Sequence, residues 1–298
     1  VQAPYVMSIS AGTIHRVDRA YVQQWLPLLD AWLLHGAIYG VQHTWPQLYR
    51  NDGAGSFFVM LDEDRLLSHC ACRIEQLHDG DEVTTIGLVG SVATSPEVRG
   101  LGFAGHVLSA AVESLAEQTD TMLLWAERPE LYARQGFGAT GYDRCLLLIR
   151  RPLRSDSVIR QLEIPDHETL HALHERKPRR ISRSLRTMST LLTTPGMTTV
   201  VLEREGKVVA YACTGKGADL VGHWHEMGGT DEDLAELIPA AMHITGQIEA
   251  ALLLPPYRFE LAERLAMHIA EEVSVPGPMM RPAPDPSLSC WIDGLDSV

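Results

Sequence analysis

The stretch VATSPEVRGLGFAGHVL, residues 92–108, decides how the chain is read. It ends an apolar, β-leaning run, Ile86 to Thr94, and turns at Ser95-Pro96. It then passes through Arg99-Gly100-Leu101-Gly102-Phe103-Ala104 into an amphipathic segment. Glycines at such a junction let backbone N–H groups converge on one point. A helix start adds unpaired donors and a partial positive charge. Strand, glycine loop and helix start in that order make a phosphate-binding device. The chain is therefore expected to bind a ligand that carries a pyrophosphate.

Two spellings of the loop compete. Gly100, Gly102 and Gly105 give G-x-G-x-x-G, the dinucleotide fingerprint, with Asp120 near the expected acid. That fingerprint should follow its strand directly and open a βαβ unit. Here Ser95 to Arg99 intervenes, about a third of the chain comes first, and Asp120 precedes the next β run, Thr121 to Ala126. In the second spelling Arg99-x-x-Gly102-x-Ala104 resembles the R/Q-x-x-G-x-G/A signature of the GNAT acetyltransferase superfamily. Downstream, Tyr132-Ala133-Arg134-Gln135-Gly136-Phe137 resembles that superfamily's Y-x-x-x-G-F segment. Two motifs in the right order, about one strand apart, favour this reading.

The resemblance implies acetyl-CoA as co-substrate and no metal. Acetyl-CoA would lie in a cleft between two strands that splay apart. Backbone groups of Val92, Ala93 and Thr94 would pair with its pantetheine arm. The N–H groups of Arg99, Gly100, Leu101, Gly102, Phe103 and Ala104 would hold its pyrophosphate. The implied reaction is attack of a neutral amine on the thioester carbonyl, with the Val92 N–H as oxyanion donor and Tyr132 as the acid for the leaving thiolate. A phenol with a pKa near 10 stays protonated and able to donate. Tyr132 also reads as simple packing of a short helix. Some members carry a basic glutamate eleven residues before the motif's first residue, and this chain has Leu88 there. Glu75, Asp81, Glu82, Glu127 or a water chain remain as bases, and each carboxylate also reads as a solvated turn charge. For the acceptor, Tyr39, His43 and Trp45, with Tyr49 nearby, read either as a pocket lining or as anchors of a loop.

The 298 residues allow one large or two ordinary domains, and an apolar fraction of 45% suits a globular core. A net charge of −13 argues against sequence-independent nucleic-acid binding. No apolar run approaches the roughly 20 residues of a membrane span. Val1 to Ser10 lacks the basic start and apolar core of a leader. The five cysteines, Cys70, Cys72, Cys145, Cys213 and Cys290, read as buried free thiols rather than a disulfide or zinc framework. These points give a cytoplasmic protein, monomer or homodimer, that binds neither nucleic acid nor membrane; the resemblance implies that it acts on a small amine or a peptide or protein amine.

The fold class is α/β, a mixed, mainly antiparallel sheet flanked by helices, in two GNAT-like domains in tandem. Residues 1–154 would form the acetyltransferase domain with the acetyl-CoA site, in the order β-α-β-β-β-α-β-α-β and ending on the strand Tyr142 to Ile149. The charged stretch Arg150 to Ser157 marks the boundary. Residues 155–298 partly repeat the pattern, with helix expected over Arg176 to Leu192 around a break at Pro178. Where the loop should recur stands Met227-Gly228-Gly229-Thr230-Asp231-Glu232-Asp233. It has no arginine, and its three acids repel phosphate, so this domain is read as degenerate. His223-x-His225-Glu226 has metal-ligand spacing but no third ligand. Arg176, Lys177, Arg179, Arg180, Arg183 and Arg186 read as a solvated helix face, or as a contact with the acidic first half, an anionic ligand or RNA. The rival functions are a non-catalytic CoA-binding sensor or scaffold, and a nicotinamide-dependent oxidoreductase.

Overall fold

Apolar, β-leaning runs bounded by Asp62-Glu63-Asp64 and Asp79-Gly80-Asp81 specify a strand meander. The computed structural model, which describes residues 12–50, 54–152, 157–285 and 288–298, shows it. Its first half contains β1 (Thr13–Val17), β2 (Ser56–Asp62), β3 (Arg65–Asp79), β4 (Glu82–Thr94), β5 (Thr121–Leu124), β6 (Gly138–Ala139) and β7 (Tyr142–Ile149). Then follow β8 (Val158–Gln161), β9 (Arg179–Ile181), β10 (Thr198–Arg204), β11 (Lys207–Lys216), β12 (Asp219–Gly228), β13 (Glu249–Leu254), β14 (Ile269–Pro276) and β15 (Met279–Arg281).

The strands form two sheets, ordered β1-β2-β3-β4-β5-β15-β6 and β14-β7-β13-β12-β11-β10-β8, with β9 added to β3. Each is antiparallel apart from one parallel pair, β4 with β5 and β12 with β13. This is the mixed architecture expected, and not the doubly wound parallel sheet of a dinucleotide-binding domain.

The two units exchange a strand. β7, expected to end the first unit, pairs with β13 and β14 in the second sheet. β15 enters the first sheet between β5 and β6. Each visitor takes the same place, next to the last strand of its host. The physical reason is packing: Leu146 and Leu148 of β7 fill the second core with Leu252 and Leu254. No single cut of the chain therefore separates the sheets. The expected boundary after residue 154 lies outside the described residues.

Both faces of the first sheet are covered. Ala71, Leu88 and Ala93 face a core with Trp25, Leu29, Tyr49 and Phe57. Cys70, Cys72 and Val89 face the helix Phe103–Ala116. That helix buries Val107, Leu108, Ala111, Val112 and Leu115, and each Val or Leu contributes roughly 1.5–3 kcal/mol when fully buried. All five cysteines are free and buried.

The helix expected over Arg176 to Leu192 is corrected. Pro178 lacks an N–H and disfavours helix at the residue before it. Residues Arg179–Ile181 instead pair as β9 with Leu77, His78 and Asp79, beyond the end of β2. Helix resumes at Leu185–Leu192, where the Ser184 side chain accepts from the Thr187 N–H. The basic cluster is consequently not one solvated face. Arg176 is exposed, but Lys177 and Arg183 are buried.

Those two cations belong to a charged network that fastens residues 293–297 between the units. Arg183 reaches Glu226 at 2.9 Å and Asp296 at 2.5 Å. Lys177 bonds to Glu226 and, at 2.9 Å, to Asp293. The Tyr211 hydroxyl donates to Glu226 at 2.8 Å. Arg73, from the first sheet, donates to the Asp296 carbonyl at 2.8 Å. Lys216 donates to the carbonyls of Gly294 and Ser297 at 2.8 and 3.0 Å. Buried charges persist only when paired and hydrogen-bonded in this way.

Candidate active site

β4 and β5 stay together for three positions, Ile86 opposite Thr121, Gly87 opposite Met122 and Leu88 opposite Leu123. β4 then runs on to Thr94 while β5 ends at Leu124, so a cleft opens along residues 89–94. A bulge shapes its wall. The β3–β4 register jumps from Ala71 opposite Gly90 to His69 opposite Ala93, which leaves Ser91 and Val92 without a partner on β3. Ser91 has φ of 53°, a left-handed value uncommon for a side-chain-bearing residue.

Three buried rings hold that strained residue. His69 Nδ1 lies 2.8 Å from the Ser91 carbonyl, so it carries the proton and donates. The Tyr49 hydroxyl bonds to Ser91 Oγ. The rings of Tyr49, Phe57 and His69 pack with centroids 5.3 to 6.1 Å apart. Burial pulls the His69 pKa down to about 4, which keeps the ring neutral, and pushes the Tyr49 phenol up. Sequence reasoning missed His69. Nothing in the local pattern marks it, because its role depends on the register jump opposite.

The glycine loop has the geometry that anion binding needs. Gly100 and Gly102 both have φ of 86°. Arg99 Nε donates to the Thr94 carbonyl at 3.2 Å and ties the loop back to its strand. Gly102 is the N-cap of the helix Phe103–Ala116, with no side-chain cap and no acid in the first turn. A Cβ on Gly105 would meet nothing within 4 Å. The helix start thus offers open space and uncapped N–H donors, which fits a pyrophosphate.

The equivalent helix of the second unit, Asp231–Ile244, is closed to one. Thr230 caps it, Asp231, Glu232 and Asp233 crowd its first turn, and Arg258 holds Asp231 at 2.6 Å.

Tyr132 lies on the short helix Pro129–Ala133, begun by a proline in its first turn. Its ring packs against the core beneath the helix Phe103–Ala116, edge-on to Phe137 at 6.5 Å. Burial, then the nearby Cys70 and Glu127, push its pKa up to about 12. Among the described residues its hydroxyl has no hydrogen-bond partner.

The remaining candidates scatter. Tyr39 and His43 contact each other edge-on at 6.5 Å, and Tyr39 lies against Gly196 of the second unit. The neighbouring Thr44 hydroxyl accepts from the Ala218 N–H at 3.1 Å, and Trp45 packs on the first core. This segment therefore lies at the join of the units. Leu88 is fully buried. Asp81 and Glu82 are exposed at the hairpin tip, Glu127 is exposed, and Glu75 bonds to Arg73.

His223 and His225 spend one ring nitrogen each on the carbonyls of Val221 and Gly215, at 3.0 and 2.8 Å. Ligand atoms of His174, Glu226 and Asp293 converge within 4.8 Å, but the ammonium of Lys177 is bonded to both carboxylates there.

Residues 13–140 match the family model described as an acetyltransferase (GNAT) domain. No curated protein matches the chain by sequence. Among solved structures, the chain resembles a conserved protein of Enterococcus faecalis titled a probable N-acyltransferase. That likeness has a TM-score of 0.70 at 14% identity and covers 91% of this chain and 73% of the other. It also resembles a GCN5-related N-acetyltransferase of Anabaena variabilis, with TM-score 0.65 at 13% identity over 90% and 72% of the two chains. A putative acetyltransferase of Pyrococcus horikoshii gives 0.58 at 10% identity over 97% and 95%. At such identities these likenesses show the fold, and they extend through both units. No helix among the described residues is long and apolar enough to cross a membrane.

Proposed function

We propose that this chain, whose residues 13–140 match the family model of an acetyltransferase (GNAT) domain, moves an acetyl group from acetyl-CoA to a primary amine, at one site per chain. Acyl transfer as a class is supported by that match. The donor and acceptor are the proposal, carried above all by the uncapped, acid-free helix start after Gly102.

Acetyl-CoA supplies an activated thioester. The chain's part is to orient it and to manage charge. The N–H groups from Arg99 to Ala104 would hold the pyrophosphate, and the free edge of β4 at Val92, Ala93 and Thr94 would align the pantetheine arm. The register jump leaves Val92 without a partner on β3, and its N–H would then serve as the oxyanion donor. Tyr132, protonated throughout the physiological range, would give its proton to the leaving thiolate. With Leu88 buried where a base would stand, the acceptor would lose its proton to water. Turnover is then expected to rise with pH along the acceptor's own pKa. The second unit, with its helix start capped and acidic, would bind no CoA.

Titration of the full chain with acetyl-CoA, with NADH as control, tests the reading. One-to-one binding of acetyl-CoA alone, followed by amine-dependent thiol release, is the expected result. Tight binding without turnover of any amine would favour a CoA-sensing role.

A further inference from the structure

Inside the bulge of β4, Ser91 and Val92 have no partner on β3, while the residues on either side are held in register. Gly90 pairs with Ala71, and Ala93 with His69. The Ala93 carbonyl also accepts from Ser68 Oγ at 3.0 Å. The strand pairing thus fixes both flanks but not the Ser91–Val92 peptide between them. A side chain supplies the missing tie, since His69 Nδ1 donates to the Ser91 carbonyl at 2.8 Å.

That one bond orients two groups. The peptide is trans and planar, so the Ser91 carbonyl and the Val92 N–H point in opposite directions. Holding the carbonyl to the imidazole directs the N–H away from it. The imidazole packs with Tyr49 and Phe57 in the core on one face of the sheet. Tyr132 packs in the core on the other face. The tie is also rigid. His69 is fully buried, and Ser91 is kept at φ of 53°, a conformation that persists only where its surroundings over-determine it. Nδ1 faces an acceptor and so carries the proton, while Nε2 is buried with nothing to bond a second one.

We infer that His69 is a positioning residue for acyl transfer, whose bond to the Ser91 carbonyl aims the Val92 N–H at the oxyanion that develops on the thioester. The inference rests on the acetyl-transfer reading with Val92 as oxyanion donor, and it gives His69 no contact with substrate. Fixed donors are effective because they need not reorient as charge develops. A Ser91–Val92 peptide free to swing would leave the glycine loop and its hold on the pyrophosphate intact, but it would stabilise the transition state less. The signature is a fall in kcat with little change in acetyl-CoA affinity.

The test compares His69→Asn with His69→Gln in the full chain. An asparagine amide N–H stands where Nδ1 stands, whereas a glutamine amide reaches the place of Nε2. Val22→Ala is the control: it opens the same core from the helix Arg19–Val22, which packs on β2. Each protein is followed by steady-state turnover of an amine, titration with acetyl-CoA and urea unfolding. His69→Asn should keep kcat within about threefold of wild type. His69→Gln should lose about tenfold or more, up to the roughly 10²–10³-fold of removing an oxyanion donor outright, with an acetyl-CoA Kd within about threefold. Val22→Ala should lose stability and keep kcat. A merely structural role predicts the opposite order, because glutamine fills the imidazole's space better than asparagine. Equal kcat in the two His69 variants, a His69→Gln loss matched by weaker acetyl-CoA binding, or an equal kcat loss in Val22→Ala would each overturn the inference. If His69→Gln does not fold, a kcat loss beyond about tenfold in a folded His69→Asn overturns it alone. A wild-type chain that binds acetyl-CoA but turns over no amine would instead overturn the acetyl-transfer reading, and this inference with it.

Discussion

Glu226→Gln is the substitution that most directly tests how the two units are held together. The carboxylate is fully buried. It receives Arg183 at 2.9 and 3.2 Å, Tyr211 at 2.8 Å, and the ammonium of Lys177. An amide of the same shape keeps one acceptor, turns a donor toward two cations, and leaves their charge uncompensated. Breaking a buried pair by removing one partner costs about 3–5 kcal/mol, against a total stability of about 5–15 kcal/mol for a folded domain. With a urea dependence of about 3 kcal/mol per molar, the upper end of the usual range, the midpoint should fall by about 1–1.7 M. Urea titration followed by tryptophan fluorescence is a suitable assay, because Trp25 reports on the first core and Trp224 on the second. The exchanged strands require both to lose signal together. Glu272→Gln is the control. Its partner Arg144 is 2.6 Å away but the pair is about 40% exposed, and such pairs are worth no more than about 1 kcal/mol. Equal midpoint shifts for the two variants would refute the claim that the buried network carries the join.

Further outcomes follow from the site and its buried histidines. Tyr132→Phe should lower turnover by about 10²-fold, the low end for a general acid, with little change in acetyl-CoA affinity; steady-state kinetics with a parallel titration would show unchanged turnover if the phenol only packs. Gly105→Asp should fold at least as well as wild type, since a Cβ there meets open space and an acid in the first helical turn is favourable. Its acetyl-CoA affinity should nevertheless drop tenfold or more, and an unaltered dissociation constant would remove the helix start from the pyrophosphate site. His69 and His225 are each held at a pKa of about 4 by burial, below the ordinary value near 6.5. Their contribution to stability is therefore complete above pH 6.5 and is lost as pH falls toward 4, at roughly 1 kcal/mol per pH unit for each. Urea midpoints measured across that window should fall with acidification, and His69→Asn should flatten the slope.

The legible parts of the chain were those written in local pattern. Apolar runs and the turn residues between them located the β2–β3–β4 meander. Arg99, Gly100 and Gly102 located the loop, whose positive φ angles only glycine adopts without strain. The acids Asp231, Glu232 and Asp233 foretold that the second helix start would be closed. What stayed illegible depends on which distant segments meet. The unbroken apolar run Cys145 to Ile149 says strand but names no sheet, so the exchange of β7 and β15 has no signature in either segment. Arg179 to Ile181 carries no strand pattern and becomes one because the edge of β3 beyond Cys72 is free. Lys177 and Arg183 look like solvated charges until Glu226, Asp293 and Asp296 arrive from far along the chain to neutralise them. His69 looks like any core residue until the register jump places the Ser91 carbonyl before it.

The strand exchange also sets a timetable for synthesis. When residues 13–140 have left the ribosome, the sheet that carries the glycine loop still has a vacant lane between β5 and β6. The strand that fills it, Met279–Arg281, is made about half a chain later. Until then the nascent protein exposes unpaired strand edges, the feature that invites association with other chains. Pairings so distant in sequence also form slowly. Completion of the first sheet is thus tied to completion of its neighbour, and a ribosome that stalls before residue 269 releases a product in which neither sheet is whole.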